Sequence, residues 1–432
     1  MIKIENIQLN GGIDAVSSKS MAHRYLICSA LSDFSSLLYI PNISDDIKMT
    51  IDCLKKLGAD IKIDGRILKV IPINIDKLKK INEVLKFNMG ESGTTFRFML
   101  PVITSLLDRC EFVGRGRLPQ RPIKELVDII KKSGCLISSD KLPFKITNKF
   151  RFNNVDIRGD ISSQYISGLL LCAPMQNEDV RIDIISKLES KPYVDMTIDV
   201  MKKYGIEIVQ EKKSYFISKN NKYTNKGISD IIQKIEGDWS NVAFFLVAGA
   251  IGSKQVEIKG LNLNSVQGDM KILEILKKIG AKVDIDINSG VVKISKHTLE
   301  PTEIDICDIP DLLPILTVLA SACIGKTRFY NISRLRLKES DRIKSSVDMI
   351  NSLGGIATEE ENSLVIEGKG YLKGGEVSSY NDHRIAMSST IASIICENPV
   401  ILDEENAVNK SYVNFYEDFE KLGGRYVIID RK

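Results

Sequence analysis

Lys19, Ser20, His23 and Arg24 crowd the first two turns of "VSSKSMAHRYLICSAL", a stretch that reads as the start of an amphipathic helix. A helix N-terminus already carries unpaired N–H groups and the positive end of the macrodipole, so cations there are locally unfavourable. An anion held among them accounts for the placement, and positions 20, 23 and 24 share one face by their i, i+3, i+4 spacing. Taken alone, a solvated charged helix start explains the stretch about as well, so the rest of the chain has to decide.

The same placement recurs. "NMGESGTTFRF" sets Gly90, Gly93, Thr94 and Thr95 before an apolar helix containing Arg97, which suits a backbone-amide anion cradle. "GRGRLPQRPIKEL" brings Arg115, Arg117 and Arg121, with Arg121 immediately before Pro122 at a predicted helix N1 position, where an arginine can present its fork to a carboxylate or phosphate at the helix start. "GDISSQYISGLLL" puts Ser162, Ser163 and Gln164 at another apolar helix start, and "LESKPYVDM" adds Ser190, Lys191 and Tyr193. A capping role explains one serine of the three in "ISSQ", not all of them.

In the second half, Asp311 in "IPDLLPILTVLASA" faces an apolar run in which a lone carboxylate is costly without a partner. "RLRLKESDRIKSS" alternates Arg334, Arg336 and Lys338, then gives Glu339, Asp341 and Arg342; it reads as a strand with one basic face leading into a helix capped near Ser340. "SYNDHRIAMSSTIA" sets Asn381, Asp382, His383 and Arg384 before a small-residue helix, and Lys410 precedes the last helix in "AVNKSYVNFYEDF". Each cluster alone reads as a solvated face. Repeated at successive helix starts, they imply an anion-attracting cavity in an enzyme that binds a multiply anionic ligand pair without metal. Asp311 and Glu339 are then the proton-transfer candidates.

The elements that must position these residues come in six copies. An amphipathic helix, a glycine and an alternating strand recur at "IDCLKKLGADIKI", "LVDIIKKSGCLIS", "IDVMKKYGIEIVQ", "LEILKKIGAKVDI", "SVDMINSLGGIAT" and "YEDFEKLGGRYVI". Their glycines, Gly58, Gly134, Gly205, Gly280, Gly354 and Gly423, are 69 to 76 residues apart, close to one sixth of the chain. That length describes an α/β unit used six times, in two domains of three units each. One doubly wound parallel sheet ranks lower, because no βα turn carries G-x-G-x-x-G or G-K-[ST].

At 432 residues two cores are expected, and a net charge of +4 over that length gives no warrant for nucleic-acid binding. No apolar run reaches membrane-spanning length, and "MIKIENIQLN" lacks a signal-peptide pattern, so a cytoplasmic location is expected. Eight scattered cysteines in apolar surroundings read as reduced core thiols, and three histidines without H-E-x-x-H make no metal site. The boundary between the third and fourth copies lies near residues 219–240, with a hinge near Glu236 to Asp238. A cleft between two such domains is the default place for a small-molecule site.

With these motifs in order, "SKSMAHR", "ESGTTFR", "QRPI", "SSQ", "SKPY", "EGDWS", "NSVQGD", "IPD", "LKESDR", "NDHRIAM" and "NKSY", the chain closely resembles the 5-enolpyruvylshikimate-3-phosphate synthases of the enolpyruvyl transferase superfamily. The resemblance implies an α/β (α+β) fold, a two-domain inside-out α/β barrel of six βαβαββ units. It places an N-terminal domain at 19–235 and a C-terminal domain at 1–18 plus 236–432, with hinges near 17–19 and 235–239. It implies transfer of the enolpyruvyl group of phosphoenolpyruvate to the 5-hydroxyl of 3-phosphoshikimate by addition–elimination, in a monomer without cofactor or metal, with glyphosate as a competitive inhibitor.

By the same resemblance, Lys19, Ser20, Arg24, Ser162, Ser163, Gln164, Ser190, Tyr193, Asp311 and Lys338 fall on positions that bind 3-phosphoshikimate. Lys19, Gly93, Thr94, Arg121, Gln164, Arg342, Arg384 and Lys410 fall on positions that bind phosphoenolpyruvate. Lys19, Asp311, Glu339 and Lys410 are the implied catalytic residues, with Asp311 as base and Glu339 as acid. The chain departs from the family at Val16-Ser17, where Pro-Gly is common, at Glu91 and Arg334, where Asn occurs, and at Val413, where Pro is usual. Two alternatives stand beside this reading. A UDP-N-acetylglucosamine enolpyruvyl transferase characteristically has Lys-Asn where this chain has Lys19-Ser20, and a cysteine in the loop where it has Gly116. A non-catalytic phosphometabolite-binding protein would have no need of Asp311 and Glu339.

Overall fold

The computed structural model describes residues 1–430. Contacts divide them into two compact units, one of Met1–Ser18 with Glu236 onward and one of Lys19–Ile235, each with its own hydrophobic core. Six four-stranded sheets form among the described residues, three in each unit. All six share one pattern: a parallel pair followed by two antiparallel neighbours. Leu85–Asn88, for example, runs parallel to Arg109–Val113, which pairs antiparallel with Phe144–Thr147 and through it with Leu136–Ile137. Parallel neighbours need a crossover helix, here Gly93–Leu106, and the antiparallel return follows a second helix, Lys124–Lys132.

The two helices of each repeat differ in kind. The second is amphipathic and lies on an outer face. Asp45–Lys56 is an instance: Ser44 caps it, Asp45 and Asp46 occupy its first turn, and Lys55 and Lys56 occupy its last, as the dipole favours. All six glycines that follow these helices take positive φ, between 76° and 101°, the left-handed turn that ends a helix at little cost only in glycine. The first helix of each repeat is buried all round. Trp239–Ile251 buries every one of its residues, and Lys19–Leu31 buries all from Met21 to Ala30, so its start is charged but its body is core, not amphipathic surface. All eight cysteines are buried free thiols.

Two sheets borrow strands from the N-terminus. Gly11–Asp14 runs parallel to Val256–Lys259, and Ile2–Ile4 lies between Val400–Leu402 and Tyr426–Ile428. In the other unit Ile232–Lys234 closes the first sheet beside Ser36–Tyr39. The two chain crossings are knitted side by side: Ser17 bridges Gly237, Ser18 N–H donates to the Glu236 carbonyl at 2.8 Å, and Asp238 N–H donates to the Val16 carbonyl at 2.8 Å.

Local readings differ from the structure in two further places. The alternating "RLRLK" is a 3-10 turn, Ser333–Leu337, and the helix after it starts at Arg342 with Asp341, not Ser340, as the cap that accepts from Lys344 N–H. Alternation over so few residues does not separate a strand from a turn. Arg121 ends the 3-10 turn Leu118–Gln120 in an extended conformation, and the following helix begins only at Lys124. Pro122 forces that extension on the residue before it.

Candidate active site

Within the unit Lys19–Ile235, the buried first helices of the three repeats, Lys19–Leu31, Gly93–Leu106 and Ser163–Cys172, carry the polar starts picked out in the sequence. Arg24 is 1% exposed and fully engaged. Its Nε donates to Thr197 Oγ1 at 2.8 Å, and its terminal nitrogens donate to the carbonyls of Ser20 at 2.5 Å and Tyr193 at 2.6 Å. Its guanidinium also lies 4.9 Å from the centroid of the Phe98 ring. Burial pushes Arg24 down to about 9, which still leaves it charged at neutral pH. Ser190, the residue before helix Lys191–Lys203, takes φ 53°, a strained left-handed geometry for a serine at a turn beside Tyr193.

Lys19 pairs with Asp46 Oδ2 at 2.9 Å. A buried hydroxyl chain supports that corner: His23 Nδ1 lies 2.7 Å from Thr50 Oγ1, Thr50 lies 2.9 Å from Thr95 Oγ1, and Thr95 Oγ1 lies 2.9 Å from Ser92 Oγ and 3.2 Å from the Asp46 carbonyl. Burial, with Lys19 and Arg24 beside it, holds His23 well below its ordinary value, so the ring is neutral at neutral pH. His23 is thus a core connector, not a third cation.

Gln164 joins two helix starts, accepting from Arg97 Nη1 at 2.7 Å and donating to Thr94 Oγ1 at 2.8 Å. Ser162 caps its helix by accepting from Gln164 N–H, and Ser163 is the first helical residue. Gly93 opens the helix after its cap Ser92, and a β-carbon there would lie 2.6 Å from Arg121 Nη1. Only glycine lets that guanidinium lie over the helix start.

In the other unit Arg342, 1% exposed, is the hub. Its Nη1 donates to Asp311 Oδ1 at 2.7 Å, its Nη2 to Glu339 Oε2 at 2.7 Å, and its Nε to Asp382 Oδ2 at 2.9 Å. Burial alone would lower this guanidinium; Asp382, Glu339 and Asp311 together raise it well above its ordinary value. Asp311 also accepts from Lys338 Nζ at 3.1 Å and from Arg384 Nη2 at 3.5 Å. Burial pushes the Asp311 carboxyl up, but Lys338, Arg384 and Arg342 outweigh it and hold the group well below the usual carboxylate range. Lys338 moves down because its burial and the neighbouring Arg342 and Arg334 outweigh Asp311 and Glu339. Asp382 caps helix His383–Ala392 and accepts from Ser340 Oγ at 2.9 Å; against its burial, Arg342 and His383 bring it down to about 2. Lys410 Nζ donates to the carbonyl of Asn381 at 2.6 Å. Arg334 donates to the Cys307 carbonyl at 3.0 Å, a loop-bracing contact.

The sequence-predicted residues therefore fall into two sets. Lys19, Ser20, Arg24, Gly93, Thr94, Arg121, Ser162, Ser163, Gln164, Ser190 and Tyr193 lie in one unit, and Asp311, Lys338, Glu339, Arg342, Arg384 and Lys410 in the other. Asp46 and Thr197, which hold Lys19 and Arg24, were not legible in the sequence, and Ser240 and Asp269 stand in the motifs "EGDWS" and "NSVQGD" without a role that the sequence assigns. Asp46 looks like an ordinary first-turn acid and Thr197 like a core position, and only the fold brings them to Lys19 and Arg24.

A family model described as EPSP synthase (3-phosphoshikimate 1-carboxyvinyltransferase) matches residues 4–419. The chain belongs to the EPSP synthase family. The 3-phosphoshikimate 1-carboxyvinyltransferase of Clostridium botulinum (strain Alaska E43 / Type E3) is 40% identical over 428 residues, covering 98% of each chain. That of Clostridium novyi (strain NT) is 40% identical over 435 residues, covering 98% of this chain and 97% of its own. An EPSP synthase structure from Acinetobacter baumannii superposes with a TM-score of 0.80 at 22% identity, covering 99% of both chains. The enolpyruvyl transferase NikO from Streptomyces tendae gives 0.75 at 15% identity, covering 100% of this chain and 99% of that one. These structures show that the EPSP synthase family member described here has the enolpyruvyl transferase fold, with which its six repeated units agree.

Proposed function

We propose that the chain transfers the enolpyruvyl group of phosphoenolpyruvate to the 5-hydroxyl of 3-phosphoshikimate and releases phosphate, as a cytoplasmic monomer that glyphosate inhibits competitively. The observation that most supports the chemistry is the carboxylate pair Asp311 and Glu339, both held by one guanidinium, that of Arg342. In the addition step the hydroxyl loses a proton, its oxygen bonds to the substituted vinyl carbon, and the CH₂ terminus gains a proton to become CH₃. In the elimination step the methyl group returns a proton and phosphate leaves. A base and an acid must therefore serve one pocket.

Asp311 is ionised at neutral pH and is assigned as the base; Glu339 is assigned as the acid. A carboxylate gripped by Lys338, Arg384 and Arg342 is a weak base. Substrate anions that draw Lys338 toward 3-phosphoshikimate and Arg384 toward phosphoenolpyruvate would relieve that grip and raise its basicity when both substrates are bound. Lys19, Arg121, Arg342, Arg384 and Lys410 are assigned to phosphoenolpyruvate and its developing charge, with Gly93, Thr94 and Gln164 shaping the helix starts beside it. Ser20, Arg24, Ser162, Ser163, Ser190, Tyr193 and Lys338 are assigned to 3-phosphoshikimate, with Lys19, Gln164 and Asp311 touching it as well.

The test is phosphate release from phosphoenolpyruvate with 3-phosphoshikimate as acceptor. Release with that pair is expected. Release only when UDP-N-acetylglucosamine replaces the shikimate overturns the reading, and binding of both ligands with no release makes the chain a binding protein.

A further inference from the structure

Asp269 is a buried carboxyl that the proposed reaction does not use. It sits in the 3-10 turn Gly268–Lys271, 3% exposed, and Oδ2 accepts from the hydroxyl of Ser240 in the first turn of helix Trp239–Ile251. The carbonyl of that same Ser240 accepts from Arg384 Nη1 at 3.0 Å, and Arg384 Nη2 reaches Asp311 Oδ2 at 3.5 Å. One serine thus connects Asp269 to the guanidinium assigned to phosphoenolpyruvate.

We infer that Asp269 is a positioning residue for Arg384: it anchors Ser240, and its negative charge, when present, competes with the anionic substrate for that guanidinium. The inference rests on the assignment of Arg384 proposed above. The charged groups facing Asp269 are Asp311 and Asp238, which oppose its ionisation, and Arg384, which favours it. Burial and Asp311 raise the Asp269 carboxyl to about 7, against the Ser240 hydroxyl and Arg384. Burial and the neighbouring Asp311 and Asp238 oppose a charge on Asp269, so it keeps its proton to higher pH than Asp311, which Lys338, Arg342 and Arg384 grip. Below that pH Arg384 meets phosphoenolpyruvate with Asp269 neutral. Above it, a second buried anion repels the substrate and draws on the same guanidinium.

The experiment measures KM for phosphoenolpyruvate and kcat at saturating 3-phosphoshikimate from about pH 6 to about pH 9. In the unaltered protein KM is expected to rise roughly tenfold across neutrality with a smaller change in kcat. Asp269→Asn, which keeps the shape and stays neutral, should hold KM near its low-pH value throughout. Ionisation of the substrate phosphate is common to both proteins and cancels in the comparison. Ser240→Ala removes a hydroxyl that favours the ionised carboxylate, so it should move the midpoint of the KM rise to higher pH; it also serves as the test if Asp269→Asn does not fold. Parallel KM profiles for the unaltered protein and Asp269→Asn, or an unmoved midpoint in Ser240→Ala, overturn the inference. No turnover by the unaltered protein overturns the functional assignment instead.

Discussion

Gly93 and Arg121 occupy what would be one space if position 93 had a side chain: a β-carbon there falls 2.6 Å from Arg121 Nη1 and 2.9 Å from Cζ. The clash is with the far end of a flexible side chain, so the fold can absorb it and the guanidinium cannot keep its place. Gly93→Ala is therefore expected to alter unfolding stability by less than about 1 kcal/mol. It should raise KM for phosphoenolpyruvate about tenfold and weaken inhibition by glyphosate. Steady-state kinetics beside a thermal melt check this, and an unchanged KM would remove Arg121 from the phosphoenolpyruvate site.

Arg342 holds Glu339 and Asp311 by separate nitrogens, each at 2.7 Å. Glu339→Gln keeps the size and the hydrogen-bond acceptor but cannot deliver a proton. Turnover is expected to fall by about 10² or more while the affinity for either substrate changes by less than about threefold. A KM effect as large as the kcat effect would make Glu339 a binding residue instead.

Gly168 carries a different constraint from Gly93. A β-carbon there would lie 2.2 Å from the carbonyl oxygen of Arg97, so helix Ser163–Cys172 crosses helix Gly93–Leu106 backbone against side-chain-free backbone. Backbone cannot move aside as a guanidinium tip can. Gly168→Ala should destabilise by about 2–4 kcal/mol and lower the yield of folded protein, read by chemical denaturation. A melt matching the unaltered protein would show that the two helices can separate at that point.

These examples separate what the sequence makes legible from what it does not. The six glycines after the amphipathic helices were legible because a positive-φ terminator leaves a residue-type mark at a fixed place in each repeat, and all six take that conformation. The candidate binding residues at helix starts were legible because cations at a positive dipole end require a reason. The role of His23 was not: it reads as part of the cation cluster, and only its burial against Thr50 makes it a neutral connector. The role of Asp269, in the quoted motif "NSVQGD", was equally hidden, since it depends on Ser240, 29 positions away in the chain. The "RLRLK" alternation misled because a 3-10 turn held by tertiary contacts mimics strand periodicity over a few residues.

Asp382 gives the acid side of the stability curve. It is fully buried, binds Arg342 Nε at 2.9 Å and is held at about 2, below the ordinary 3.8. A depressed carboxyl binds fewer protons folded than unfolded. It therefore contributes stability that is complete above about pH 4 and lost as pH falls through about 2, on the order of 2 kcal/mol in all. Asp382→Asn cannot make that contribution and leaves one face of Arg342 without its carboxylate, so near pH 7 it should be less stable by about 3 kcal/mol. Urea unfolding of both proteins at stepped pH should show the gap constant down to about pH 4 and narrowing below it. A gap that stays constant to the acid limit would mean that the charge of Asp382 is not what stabilises the fold, since Asn can keep the cap and accept from Arg384 N–H and Ser340 as well.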